Sequence, residues 1–147
     1  MKEIDKAYIA GFVDGDGCIT ITQRKWKTNN RIGLSYIPVV EISNCDVRVL
    51  DWIISKTEGI KIYKSKYVDN RSPTFRPQYR LFVGRMLNIE KFLILILPYL
   101  KLKKEQAEIV LLLINHKKNN KINNKEYVLS LRNKIHYLNR RGPRENE

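Results

Sequence analysis

Tyr8-Ile9-Ala10-Gly11-Phe12-Val13-Asp14-Gly15-Asp16-Gly17 is the stretch on which the reading of this chain turns. It packs apolar, small and acidic residues into ten positions, and those classes want different surroundings. A helix read from Ile4 brings Ala7, Gly11 and Gly15 onto one face, because residues four apart are helical neighbours. Such a face lets a second helix come unusually close, since the side chains at a contact set the distance between axes. Glycine inside a helix costs up to about 1 kcal/mol against alanine, so the stripe calls for a compensating contact. The helix is expected to run to about Val13. Asp14 and Asp16 then arrive at its C-terminal end, where the dipole disfavours anions. Carboxylates placed there point to a cationic partner, a metal ion above all.

Other uses of the acids are open. Asp and Gly both suit a turn, and a turn after a helix accommodates these ten residues equally well. A calcium loop does not. Its fifth, sixth and twelfth positions would be Cys18, Ile19 and Lys25, where an oxygen ligand, Gly and Glu are needed.

Charge narrows the function. The 147 residues fit one domain with a substantial core. The formal net charge is +13, from 28 Lys and Arg against 15 Asp and Glu, with a pI near 9.8. That excess predicts a polyanionic partner, nucleic acid before an anionic membrane surface. Arg24, Lys25, Lys27 and Arg31 form one basic stretch; Lys61, Lys64, Lys66, Arg71, Arg76, Arg80 and Arg85 form another, interrupted by Asp69 alone.

The longest apolar runs, Phe92 to Leu97 and Ile109 to Ile114, are far short of the roughly 20 residues a spanning helix needs. No secretory pattern opens the chain. Cys18 and Cys45 lack metal-ligand spacing, and His116 and His136 lie far from both, so reduced thiols are expected rather than a zinc site. An intracellular home follows as an expectation, organellar, cytoplasmic or nucleoid, and not secreted.

Periodicity predicts a mixed α+β chain. Cys18 to Arg24 alternates, Ile19 and Ile21 on one face, Thr20, Thr22 and Arg24 on the other. Lys27 to Arg31 reads as a hairpin-like connection. Leu34 to Ser43 is a second strand with Tyr36, Val40 and Ile42 inward, and Pro38 marks an edge. Asn44 or Asp46 can cap a helix carrying Val49, Leu50, Ile53 and Ile54, ending at Gly59. Ile60 to Tyr67 and Gln78 to Val83 are two further strands around a loop with Pro73 and Pro77. Helices follow at about Ile89 to Leu97, Lys103 to Lys118 and Asn124 to Asn139, with Gly142-Pro143 as a stop. A four-stranded antiparallel sheet covered by helices on one face would leave the other open. Thr20, Thr22, Arg24, Lys64, Lys66 and Arg80 are expected together on that open face, which suits a DNA groove.

Ile9 to Gly17 resembles the signature of the LAGLIDADG homing endonucleases. Three more features resemble the single-motif branch: Glu41-Ile42-Ser43-Asn44 closing the second strand, Arg48 four positions on, and Pro98-Tyr99-Leu100-Lys101-Leu102-Lys103-Lys104. Together they span most of residues 4 to 116 in order. The resemblance implies an αββαββα saddle with additional C-terminal helices: a single endonuclease domain over 1–147, its core about 4–118 and a helical region about 119–141. No second D-G-D-G occurs, so one chain is expected to supply half of a two-site cutter. A homodimer follows, with Ala7, Gly11 and Gly15 at its interface.

By the same resemblance the partner is double-stranded DNA and the activity a metal-dependent double-strand break in a long pseudo-palindromic site. Asp16 matches the metal-binding acid, with the Gly15 carbonyl joining it. Mg²⁺ is implied, Mn²⁺ as a substitute, Ca²⁺ binding without cleavage. Mg²⁺ keeps several waters, so one Asp per site suffices. Asp14 is expected to be structural or capping. Lys103 would stand near the scissile phosphate, Asn44 would hold water, with Ser43 an open alternative for that place, and Arg48 would contact phosphate or water. The expected DNA-binding residues are Thr22, Arg24, Trp26, Ser35, Glu41, Lys64, Lys66 and Arg80 on the sheet. Lys117, Lys118, Lys121, Arg140 and Arg141 would hold phosphates. The alternative reading is a maturase binding group I intron RNA, or a nuclease-dead binding module. A basic structural protein on nucleic acid explains the charge but not the acid at the helix end.

Overall fold

Ile9, Ala10 and Val13 are fully buried while Ile4, Ala7, Tyr8, Gly11 and Gly15 stay exposed, so the first helix has two unlike sides. This helix, α1 (Glu3–Asp16), opens a computed structural model that describes residues 1–67, 76–119 and 124–140. It runs three residues past the predicted end. Gly17 stops it, donating its N–H to the Val13 carbonyl; a Cβ there would lie 2.6 Å from that oxygen.

The chain is α+β, with a four-stranded antiparallel sheet and five α-helices among the described residues. β1 (Gly17–Thr28) and β2 (Arg31–Asn44) form a long hairpin; α2 (Val47–Lys56) follows, then β3 (Ile62–Tyr67) and β4 (Gln78–Val83). α3 (Met86–Ile96), a 3₁₀ turn over Leu97–Tyr99, α4 (Lys104–Asn119) and α5 (Lys125–Asn139) complete the order. The sheet order is β1-β2-β4-β3. The hairpin strands extend beyond the predicted connection, which shrinks to residues 29–30, because Trp26 lies against Gly33 and Thr28 pairs with Arg31. Pro38 faces Ile21 in a part of β2 that β4 does not reach, since β4 pairs only with Glu41 to Asn44. Its missing N–H therefore breaks no central ladder.

Alternation decides what the helices cover. Ile19, Ile21, Val40, Ile42, Leu81 and Val83 point into the core with Leu50, Ile53, Phe92, Leu93 and Val110. α5 adds Val128, Leu131 and Ile135 to the same core. It also shields the outer edge of β1: Asn139 Nδ2 donates to the Ile19 carbonyl at 2.9 Å, and His136 Nε2 lies 3.2 Å from that of Ile21. Unpaired strand edges invite other strands, so this cover matters.

Of the two proposed caps for α2, Asp46 takes the role, accepting the Arg48 N–H. The helix closes at Thr57, whose hydroxyl bonds the Ile53 carbonyl, before Gly59 turns at φ +80°. No helix among the described residues is long and apolar enough to cross a membrane. Asp69, Arg71, Pro73, Lys121, Arg141 and Gly142-Pro143 lie outside the described residues.

Candidate active site

Asp16 is the last residue of α1 and its carboxylate is exposed. Asn44, the last residue of β2, donates from Nδ2 to Asp16 Oδ2 at 2.8 Å. The same amide accepts the Asp46 N–H at 2.7 Å through Oδ1, so the Asn44 side chain is fixed at both ends. Between the two polar residues left open by the sequence, Asn44 bonds the acid, while Ser43 lies on the opposite side of the sheet opposite Arg80. Asp16 Oδ1 accepts no hydrogen bond from another side chain among the described residues, and the neighbouring Gly15 is exposed.

Asp14, two residues earlier, does something else. It is 9 % exposed, and its carboxylate accepts the amides of Lys101 (2.8 Å), Leu102 (3.2 Å) and Lys103 (2.9 Å). Three amides offset the unfavourable dipole at a helix C-terminus. This fits the structural part expected of it. The Lys103 ammonium turns back to donate to the Asp14 main-chain carbonyl. The Pro98-to-Lys104 segment is thus tied to the end of the signature helix, and Lys103 reaches the same helix end as Asp16. Cys18, the first residue after Gly17, also senses this neighbourhood. Burial pushes its thiol up, the Glu41 carboxylate adds to that, and the Lys103 cation opposes it.

Arg48 does not join the cluster. Its guanidinium grips the Asp46 carboxylate through Nε at 2.9 Å and through Nη2 at 2.5 Å, and it is 87 % exposed. This bidentate pair lowers Asp46 to about 2, the side-chain hydrogen bond first, then the backbone bond from the Arg48 amide. The expected phosphate or water contact would require Arg48 to leave that partner.

The sheet's open face carries Thr20, Thr22, Arg24 and Trp26 from β1, Ser35, Glu41 and Ser43 from β2, and Arg80 from β4. Lys64 and Lys66 are not on it. Lys64 pairs with Leu81 and Lys66 with Tyr79, on the helix-covered side, and Lys64 forms an ion pair with Asp51 of α2. The expectation that both lysines share a face with Arg24 and Arg80 is therefore corrected. Tyr63, Ser65 and Tyr67 take their places. Ile62 was the available signal: as the half-buried residue of β3 it sets the parity, and every second residue from it points to the helices. Two aromatics on the open face lie on glycines, Trp26 on Gly33 and Tyr63 on Gly84, where a Cβ would clash with the rings. Lys117 is also redirected. Its ammonium donates to the Tyr36 carbonyl and burial lowers its pKa, while Lys118 pairs with Glu90. Neither is a free phosphate ligand; Arg140 stays exposed.

Ala7, Gly11 and Gly15 line an exposed stripe of α1 beside Ile4 (75 % exposed) and Tyr8. A Cβ at Gly11 or Gly15 would meet nothing within 4 Å, so nothing within the chain demands glycine there.

The sequence model described as LAGLIDADG endonuclease matches residues 9–106. No curated protein sequence matches the chain. Among solved structures, the homing endonuclease I-CvuI in complex with the I-CreI target, with Mg present and the DNA not cleaved, superposes with a TM-score of 0.73. The two are 22 % identical, over 97 % of this chain and 85 % of that one. The archaeal intron-encoded homing endonuclease I-Vdi141I, complexed with DNA, gives 0.73 at 18 % identity, covering 100 % and 91 %. The group I intron-encoded homing endonuclease I-CeuI, also complexed with DNA, gives 0.70 at 16 %, covering 91 % and 67 %. These likenesses establish the shared fold.

Proposed function

The chain belongs to the LAGLIDADG endonuclease family, and from that premise we propose that it is a site-specific homing endonuclease, acting as a homodimer that makes a metal-dependent double-strand break. The observation that carries this is the meeting of Asp16, Asn44 and the Asp14-anchored Lys103 at one end of α1.

The donor set fits a hard cation such as Mg²⁺. An exposed carboxylate with a free oxygen, beside a main-chain carbonyl, is what an ion that retains several waters takes from a protein. Asp16 and the Gly15 carbonyl would hold it; bound there, it would supply charge neutralisation and a more acidic water at a scissile phosphate. Within one chain, no group of three or more His, Cys, Asp or Glu among the described residues is placed to hold a metal ion. A two-strand cut needs two such acids, and the small-residue stripe ending at Gly15 provides the way to bring a second α1, with its own Asp16, alongside.

The chain's own groups divide the remaining work. Asn44 holds the Asp16 carboxylate in one rotamer and can order water beside it. Lys103 places a cation where negative charge builds on a phosphate, at the expense of its bond to the Asp14 carbonyl. The open sheet face lies in the major groove, with Thr22, Arg24, Ser35, Glu41 and Arg80 reaching base edges. The alternative, binding of intron RNA without cutting, gains nothing particular from this geometry, because the acid, amide and lysine are all in place.

Incubation of the purified protein with a randomised duplex library, with and without Mg²⁺, followed by sequencing of cut ends, tests the proposal. Paired cuts in a near-palindromic site, absent for Asp16→Asn, are expected. A folded protein that binds nucleic acid yet never cuts with Mg²⁺ or Mn²⁺ overturns it.

A further inference from the structure

Glu41 is the one carboxylate on the open sheet face among the described residues. It opposes Phe82, with Tyr63 beyond, and the next row on that face is Ser43, Arg80 and Ser65. Glu41 and Arg80 are therefore diagonal neighbours across β2 and β4, a relation that spans about 7 Å. They nonetheless form no ion pair. Arg80 lies with its guanidinium carbon 5.6 Å from the Tyr67 ring centre, and its Nε is buried without a hydrogen-bond partner. A half-buried acid and a stacked, under-satisfied guanidinium side by side on an open face are set for an external partner that offers both a donor and acceptors.

In a duplex major groove one base pair does so. Cytosine presents the N4 amino donor, and guanine presents O6 and N7 acceptors, which suit Arg. Phosphates cannot serve Glu41, because they repel it. Phe82 and Tyr63 beside the acid raise the penalty when it faces a carbonyl acceptor instead.

We propose that Glu41 and Arg80 together read a single G·C base pair of the bound duplex, Glu41 accepting from cytosine N4 and Arg80 donating to guanine O6 and N7. Tyr67 is the positioning residue that holds the guanidinium plane. The proposal rests on the sheet being the duplex-binding face and adds to it the identity of one pair.

Binding selection tests it without any need for cutting. A randomised duplex library is incubated with the full chain, and bound molecules are sequenced for wild type, Glu41→Gln, Arg80→Lys and Tyr67→Leu. Wild type is expected to hold one position as G·C by roughly tenfold to a hundredfold. Glu41→Gln is expected to move that position toward A·T, since Gln pairs with adenine. Arg80→Lys weakens the guanine preference at that position, and Tyr67→Leu does so more mildly with thermal midpoint unchanged. Glu41→Gln is nearly isosteric, so it decides the matter even where an Arg80 variant folds poorly. Selected sites in which Glu41→Gln changes no position, or in which the Glu41 and Arg80 variants change different positions, overturn the pairing while leaving the endonuclease reading intact. A folded wild-type protein that retains no duplex overturns both.

Discussion

Lys103 is held by Asp14 at two points: its amide donates to the carboxylate at 2.9 Å and its side-chain ammonium to the Asp14 carbonyl. The two residues are 89 apart in sequence, so this contact joins the signature helix to the start of α4. Asp14→Ala should strand three amides in a site that is 9 % exposed, at a cost of about 3 kcal/mol. Chemical denaturation should show that loss, with Asp14→Asn intermediate because one carbonyl oxygen can still accept. Cleavage should fall in both variants. Unchanged stability in Asp14→Ala would mean that the turn finds other acceptors.

Asp16 should behave in the opposite way. It is exposed and makes a side-chain bond to Asn44, so Asp16→Asn should leave stability within about 0.5 kcal/mol, as for ordinary surface changes. Cutting should vanish while duplex binding persists. Asn44→Ala releases the carboxylate from its fixed rotamer and should slow cutting by roughly tenfold to a hundredfold, the usual effect of removing a residue that orients a metal ligand. Single-turnover cleavage alongside a binding isotherm separates the two effects.

How these residues meet was only partly legible in the sequence. The signature helix, the four strands and the helices after them follow from apolar period, because each element buries one face: Ile9 with Val13, Ile19 with Ile21, Leu81 with Val83. The acid Asp16, and Asn44 as one of two candidates, could be named from the motif. β3 could not be placed so easily. Lys64 and Lys66 look outward on charge alone, but Ile62 fixes the phase and puts both on the helix-covered side, where Lys64 meets Asp51 of α2. Arg48 and Lys117 are hard to read from sequence for a related reason. A long cation is written the same in sequence whether it waits for phosphate or is already engaged, here by Asp46 and by the Tyr36 carbonyl.

The corrected face has its own consequence. Lys64→Ala with Lys66→Ala should leave base preference unchanged, whereas Arg24→Ala should relax it at one position. If the lysines touch phosphate from their side of the sheet, the double variant lowers only the salt slope, by about 0.9 for each lost contact. Site selection at two salt concentrations reads both quantities. A changed base preference in the lysine variant would put those side chains back on the groove-facing side.

Gly11 tests the helix stripe. Within one chain a Cβ at this position meets nothing within 4 Å, so Gly11→Ala in an isolated helix should gain up to about 1 kcal/mol. A close helix pair reverses the outcome for a large or charged side chain. Gly11→Glu should give a folded monomer that no longer cuts, seen by sedimentation and by circular dichroism. A wild-type chain that is already monomeric at assay concentration, with cutting retained, would remove the homodimer from the proposal.

Asp46 gives the pH test. Its carboxyl falls from 3.8 to about 2, chiefly through the hydrogen bond from the Arg48 side chain. A depressed acid stabilises the folded state above its unfolded value, and that contribution is lost as pH falls through the folded one. The thermal midpoint of wild type should therefore exceed that of Asp46→Asn by a constant amount above pH 4, and the gap should close between about 4 and 2. Asparagine still caps a helix, so the difference reports the ion pair and not the loss of a cap. In an Arg48→Met background the pH-dependent part of the gap should shrink, because removal of the guanidinium takes away the largest cause of the depression. Both groups face water, so added salt should shrink the gap throughout. Duplex binding that draws Arg48 away from Asp46 would have the same signature in the complex: the acid would titrate higher with DNA bound than without it, a direct measure of whether Arg48 leaves its cap partner for phosphate.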